Sequence, residues 1–375
     1  MQFKDLKAQY QALKPQIDSA IQSVLDTSEF ILGAPVERLE KTLAAYVGRK
    51  HCITCANGTD ALQLALMAMG VGQGDAVFTS DFTYIASAGA ASLLKAEVIF
   101  ADIDERTFNI SPESLEEAIN HVILEGKLTP KVIIPVDLFG LPANYSQIVA
   151  IAKKYHLKIL EDGAQGFGGR IKDKQACSFG DIAITSFFPA KPLGCYGDGG
   201  AIFTDDDELA ESLYSLRAQG RSKSSKYEHC KIGINSRLDT LQAAILLEKF
   251  KAFRDYELQA VNEVANWYTK RLKDVVVTPY IPTGYYSSWA SYTIMFKDCQ
   301  TRDRIQNELK KHGIPSMIYY PFALHQQKVY EGVRINKMDY SHTLHATKTV
   351  LSLPIHPYLK EEDVKRIAKI IIDSI

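Results

Sequence analysis

The sequence predicts an α/β protein in two parts: a large domain built on a mainly parallel sheet between helices, and a smaller C-terminal α+β domain. Three observations lead there. Short apolar runs alternate with segments of helical period from Cys52 to Phe187, the pattern of strands buried on both faces. The rhythm then changes near residue 250, which sets the expected domains at 1–250 and 251–375. The 375 residues are enough for two hydrophobic cores.

Residues 1–30 read as an amphipathic helical arm, with Ile17, Ile21, Val24 and Leu25 at helical spacing. Cys52–Cys55 is a predicted strand, and Asp60–Met69 a helix stopped by Gly70. Ala76–Thr79 (strand), Tyr84–Leu94 (helix) and Glu97–Ala101 (strand) follow. Ser111-Pro112 opens another helix, serine as cap and proline in the first turn. Lys131–Val136, Asn144–Tyr155 and Leu157–Leu160 make a strand–helix–strand unit, and Ile182–Phe187 is a further strand. A long charged helix from Phe250 to about Leu272 is placed to bridge the two parts. The smaller part is read from Trp289–Phe296, Thr301–His312 with Gly313 as stop, Ile314–Tyr319, Val350–Leu353 and a last helix, Glu361–Ile372. Ser222–Lys226 is the expected mobile loop.

Composition narrows the function. With 43 basic and 44 acidic residues, the chain has no electrostatic case for nucleic acid or a membrane surface as partner. The start, Met1 to Lys7, lacks an apolar signal core, and no apolar run is long enough to span a bilayer, so a cytoplasmic location is expected. Six cysteines do not make a disulfide scaffold in so long a chain. Cys52-Ile-Thr-Cys55 has metal or redox spacing, but no second pair completes a zinc site, and residues three apart on a strand face opposite ways. Buried, inert thiols and no metal are the expectation.

The chemistry concentrates in a few places. Lys191, in Ser186-Phe-Phe-Pro-Ala-Lys191, is followed by Gly194, Gly197, Gly199 and Gly200. A lysine held where its amine is neutral can bond covalently to a carbonyl, and glycines let backbone come close to it. Asn57-Gly58-Thr59 joins a strand to a helix, where free N–H groups and the helix dipole favour a phosphate. Taken alone, that junction is an ordinary helix cap. Asp162 ends a strand on the edge where parallel sheets bind ligands, and a carboxylate there can keep a ring nitrogen protonated. Glu161 beside it is expected to be structural or solvated. Tyr84 is placed either to stack on a ring or to pack in the core. A phosphate cradle, a stacking aromatic, a carboxylate and a lysine are together the parts that a pyridoxal 5'-phosphate (PLP) site requires.

The ordered set Asn57-Gly-Thr-x-Ala, Phe82-Thr-Tyr84, Glu161-Asp162-x-Ala-Gln165, Ser186-Phe-x-x-x-Lys191 and Asn235-Ser-Arg237 resembles the DegT/StrS family of nucleotide-sugar aminotransferases. The resemblance runs from Phe3-Lys-Asp-Leu6 to Leu351-Ser-Leu-Pro-Ile-His-Pro357. It implies a fold-type I PLP-dependent transferase, aspartate aminotransferase-like, working as a homodimer with shared active sites. By that resemblance Lys191 bonds to the cofactor and then shuttles the proton, and Asp162 holds the pyridine nitrogen. Gly58, Thr59 and Ser186 bind the phosphate, Tyr84 stacks on the ring, and Gln165 contacts the ring oxygen or its neighbours. Asn235 reaches the phosphate in the other subunit.

Within the family, the stretches around Lys191 and Asn235 are most similar to the WbpE type. Those enzymes aminate C3 of UDP-2-acetamido-2-deoxy-3-oxo-glucuronate with L-glutamate as donor, for lipopolysaccharide O-antigen synthesis. Arg237 suits such a substrate because its planar fork can grip a carboxylate or phosphate at two points; an interface salt bridge is its other reading. Tyr319-Tyr320-Pro321 stands where relatives often have His-Tyr-Pro; it is followed by His325, and the segment is expected to face the sugar. A dTDP-3-oxo-6-deoxyhexose aminotransferase is the nearest alternative. A PLP sugar dehydratase is disfavoured by Lys191, which that branch replaces with histidine. A non-catalytic PLP-binding regulator would not need the lysine.

Overall fold

Among the described residues, seven strands form one sheet. The computed structural model describes residues 1–225, 227–331 and 338–375; Lys226, the end of the expected loop, lies outside the described residues. The chain opens with α1 (Leu6–Thr27) and α2 (Ala34–Val47), then alternates β1 (His51–Cys55), α3 (Gly58–Ala68), β2 (Asp75–Ser80), α4 (Ala86–Leu93), β3 (Glu97–Ala101), α5 (Pro112–Glu125), β4 (Thr129–Ile134), α6 (Tyr145–Lys154) and β5 (Lys158–Asp162). Two short strands, β6 (Arg170–Ile171) and β7 (Lys174–Gln175), precede β8 (Ile182–Ser186), β9 (Gly200–Thr204) and α7 (Asp207–Leu216).

In the seven-stranded sheet, ordered β1-β9-β8-β5-β4-β2-β3, strands β3, β2, β4, β5 and β8 run parallel, whereas β9 is antiparallel to both β8 and β1. The sheet is therefore mainly parallel with an antiparallel strand near one edge. Side chains alternate between two cores. Val77 and Ile134 face a core with Leu62 and Ala88, while Phe78 and Ile133 face the one under α5 and α6. Burial on both faces is why these strands read as continuous apolar runs. Cys52 and Cys55 lie in two different cores, as period two requires. Burial pushes both thiols up, Cys55 to about 12, so neither is a thiolate near neutral pH.

Beyond the sheet come α8 (Thr240–Ala252), α9 (Leu258–Leu272), β10 (Tyr285–Tyr286), β11 (Tyr292–Met295), α10 (Cys299–Lys311), α11 (Ser341–Thr349), β12 (Val350–Leu353) and α12 (Glu361–Asp373). The expected Phe250–Leu272 helix begins earlier: α8 and α9 are continuous through a π-helical turn at Phe253–Glu257. A separate core gathers Tyr268, Tyr292, Leu309 and Ile367, with the two tyrosine rings stacked 4.9 Å apart. Ile314–Tyr319 is not a strand; of its residues Met317 alone forms a bridge, to Ser352, among the described residues.

Helix α1 buries Leu13, Ile17 and Val24, packing on Ile245 and Ala252 of α8, but Leu25 of the expected apolar face is exposed. Its N-cap is Asp5, whose Oδ1 accepts the amide hydrogen of Ala8 at 2.9 Å. That cap fixes where Phe3 and Lys4 enter the molecule.

Candidate active site

The site forms where the carboxyl ends of β5 and β8 meet the start of α3. Asn57 is the N-cap of α3: its Oδ1 accepts from Asp60 N at 2.8 Å, which leaves the first-turn amides of Gly58 and Thr59 without intrahelical acceptors. A Cβ on Gly58 would sit 2.7 Å from Cβ of Ser186, and one on Gly200 would sit 2.5 Å from the Asn57 carbonyl oxygen. Glycine at both positions lets α3, β8 and β9 close around a concavity of backbone donors and the Thr59 and Ser186 hydroxyls. Such a concavity binds an anion.

Asp162 ends β5 and is buried. Ser87 donates its hydroxyl hydrogen to Oδ2 at 2.7 Å, and Ala164 N donates to Oδ1 at 3.1 Å. Burial pushes this carboxyl above the usual carboxylate range; Ser87, Ala164 and the charge of Lys191 pull the other way. Lys191 lies in the loop after β8, and burial lowers its amine from the ordinary lysine value against the attraction of Asp162. A half-buried amine facing a buried acid across one cavity is the arrangement that keeps a lysine available as a nucleophile and base.

That cavity, of about 790 Å³, is lined by Lys191, Asp162, Gly58, Thr59 and Ser186, and also by Tyr84, Gln165, Tyr319 and Tyr320. Tyr84 is exposed on its wall, two residues before α4 rather than inside it. Gln165 is held from both sides: its Oε1 accepts from Phe139 N at 2.9 Å and its Nε2 donates to the Tyr320 hydroxyl at 3.3 Å. Burial raises the Tyr320 phenol, so it stays protonated. Tyr319 meets Phe3 edge-on, with ring centroids 6.1 Å apart.

Three of the sequence-derived site residues do not line this cavity. His325 is turned away: its Nδ1 pairs with Asp81 Oδ2 at 2.5 Å and its ring stacks on Tyr340. The backbone amide of His325 also bonds Asp81 Oδ1 at 2.8 Å, so this histidine ties its turn to the end of β2 rather than facing a sugar. Asn235 is exposed and Arg237 half-buried, and the Arg237 guanidinium has no ion pair or hydrogen bond among the described residues. Glu161 is buried and structural, accepting from the amides of Cys177 and Phe179.

Sequence reasoning missed Ser87, although its place one turn beyond Tyr84 on a predicted helix was a signal for it. It also missed Lys4, which lines the cavity from the far end of the chain. No local pattern marks that contact.

Comparison with known proteins bears on this geometry. Residues 11–372 match the DegT/DnrJ/EryC1/StrS aminotransferase family. The chain is 45% identical over 368 residues to a UDP-2-acetamido-2-deoxy-3-oxo-D-glucuronate aminotransferase of Pseudomonas aeruginosa, covering 97% of this chain and 98% of that protein. It is 43% identical over 362 residues to a pleiotropic regulatory protein of Geobacillus stearothermophilus, covering 96% of this chain and 94% of that one. Its fold superposes with a TM-score of 0.97 on the crystal structure of a DegT DnrJ EryC1 StrS aminotransferase from Brucella abortus, 46% identical, covering 100% of this chain and 99% of that one.

Proposed function

Because the chain belongs to the DegT/DnrJ/EryC1/StrS aminotransferase family, we propose that it is a PLP-dependent enzyme moving the amino group of L-glutamate to C3 of a UDP-linked 3-oxo sugar, specifically UDP-2-acetamido-2-deoxy-3-oxo-glucuronate. The observation that carries the reading is the convergence of Lys191, Asp162 and the α3 N-terminus on one cavity. Those residues suit the cofactor. Close packing at Gly58 and Gly200 sets the free first-turn amides of α3 beside Ser186, where a phosphate can meet them, and Asp162 offers a carboxylate to a ring N–H.

When bound, PLP supplies an electron sink for the breaking Cα–H bond of the donor. The chain's residues do the rest. Gly58, Thr59 and Ser186 would hold the cofactor's phosphate, and Tyr84 and Gln165, on the same cavity wall, would contact its ring. Asp162, oriented by Ser87 and Ala164, would keep the ring nitrogen protonated. Lys191 would hold the cofactor's carbonyl carbon until the donor amine displaces it, and its freed Nζ would then take the donor's Cα proton and pass it to that carbon. The lowered basicity of Lys191 suits both tasks, since a protonated amine can do neither.

The enzyme works as a homodimer in which Asn235 of each subunit completes the other's phosphate site and Arg237 grips an anion of the substrate there; their positions outside this chain's own cavity support that. The chain divides near residue 250 into a cofactor-binding part and a smaller part carrying Tyr319 and Tyr320. Among the described residues no helix is long and apolar enough to cross a membrane, and we place the enzyme in the cytoplasm, feeding O-antigen synthesis with an amino sugar.

Assaying glutamate with three acceptors tests the substrate: the UDP-3-oxo-uronate, its 6-hydroxyl analogue and a dTDP-3-oxo-6-deoxyhexose. The uronate is expected to lead in kcat/KM by about tenfold or more, the scale of one charge-assisted contact. A preference for the dTDP sugar would replace this assignment by the 6-deoxyhexose one.

A further inference from the structure

Lys4 is fixed from both sides. Phe3 before it is held edge-on by Tyr319, and Asp5 after it is locked as the α1 cap. Its side chain therefore enters the cavity of Lys191 and Asp162, and it also lines a smaller cavity of about 60 Å³ that shares Lys191.

Inside, Lys4 has no ion pair or hydrogen-bond partner among the described residues. The two acids on the larger cavity's wall do not serve it: Asp162 is committed to Ser87 and Ala164, and Asp198 is exposed. In the smaller cavity, Asp5 caps α1 and Glu257 accepts from Gln9 and Tyr358. The charge that acts on Lys4 is instead of like sign. Burial first, and then the Lys191 charge, bring the Lys4 amine down to about 7. Burial first, and then the Lys4 charge, bring His356 down to about 4 against the opposing pull of Asp5 and Asp363. A desolvated ammonium beside a second amine is costly to hold unless an anion arrives to meet it.

We propose that Lys4 is a specificity-determining residue that receives a substrate carboxylate, either the C6 carboxylate of the sugar or a carboxylate of the donor glutamate. This rests on the aminotransferase reading above. The phosphate of the cofactor has its own cradle at α3, so the anion left for Lys4 belongs to the reacting molecules. Both substrates react in turn at Lys191, and both carry a carboxylate within a few bonds of the reacting carbon. An ammonium suits that role, as a point charge on a flexible stem that can follow either molecule.

The test uses cofactor-loaded wild type, Lys4→Met and Lys4→Arg. Calorimetry gives the affinity for two unreactive ligands, UDP-2-acetamido-2-deoxyglucuronate and UDP-N-acetylglucosamine. Single-turnover decay of the cofactor's visible absorbance gives the glutamate half-reaction. Lys4→Met is expected to lose about tenfold or more in one arm, and Lys4→Arg to recover most of it. Weakening of the uronate alone assigns Lys4 to the sugar; weakening of the glutamate step alone assigns it to the donor; weakening of both shows that the two carboxylates share it. The proposal is overturned if neither arm changes by more than about twofold, the limit of a surface substitution. Equal weakening of the acid and the alcohol nucleotide sugars, with the glutamate step intact, also overturns it, because Lys4 then meets the diphosphate. Wild type inactive on every UDP sugar would instead remove the functional reading beneath it.

Discussion

Lys191→Ala is expected to lower transamination by at least about 10³-fold, because one change removes both the covalent anchor and the proton carrier; positioned proton transfer alone is worth about 10²–10⁴-fold. The fold should survive, since the Lys191 side chain lies on the wall of a cavity rather than in one of the apolar cores. Borohydride treatment of wild type should leave a pyridoxyl group on Lys191, found by peptide mass spectrometry. An adduct on Lys4, a second lysine of that cavity, would exchange the two assignments. The same variant examines the shared site. Mixed with Asn235→Ala subunits, it should form dimers with one intact site and recover activity toward half of wild type. No recovery despite subunit exchange would make each site a single chain's work.

Asp162→Asn should cost on the order of a hundredfold or more in kcat, the scale of removing one preorganised electrostatic contact from a catalytic centre. The amide is nearly the same size: its oxygen can keep the Ala164 N–H, and its NH2 can donate to a rotated Ser87 hydroxyl, so the loss reports charge rather than packing. Burial already pushes the Asp162 carboxyl up, and a cationic ring nitrogen would oppose that push. The bound cofactor's spectrum should therefore shift in the variant. Normal turnover with an unchanged spectrum would make Asp162 a structural acid.

What the sequence disclosed follows from how far each signal reaches along the chain. The strands that carry Val77, Ile134 and Ile184 were legible because two-sided burial writes continuous apolar runs. The Asn57 cap and the strand-end Asp162 were legible because capping and strand termini are local. Strand β9 was not, since Gly200-Ala-Ile-Phe-Thr204 follows directly on the glycine-rich loop and blends into it. His325 departs from expectation for a different reason. Its neighbours Tyr319 and Tyr320 do face the cavity, but Asp81, distant in sequence, takes its imidazole. Lys4 was silent because its meaning lies in what surrounds it: an N-terminal lysine reads as solvated until the fold sets it beside Lys191.

The central claim is a transfer of nitrogen from glutamate to C3 of a UDP-linked uronate. Incubating the enzyme with ¹⁵N-labelled glutamate and UDP-2-acetamido-2-deoxy-3-oxo-glucuronate, and locating the label by NMR, measures it directly. The account predicts ¹⁵N bonded to C3 of the nucleotide sugar, formed in equal amount with 2-oxoglutarate and absent with Lys191→Ala. A sugar recovered without ¹⁵N, while the bound cofactor still takes up the amine of glutamate, would contradict it.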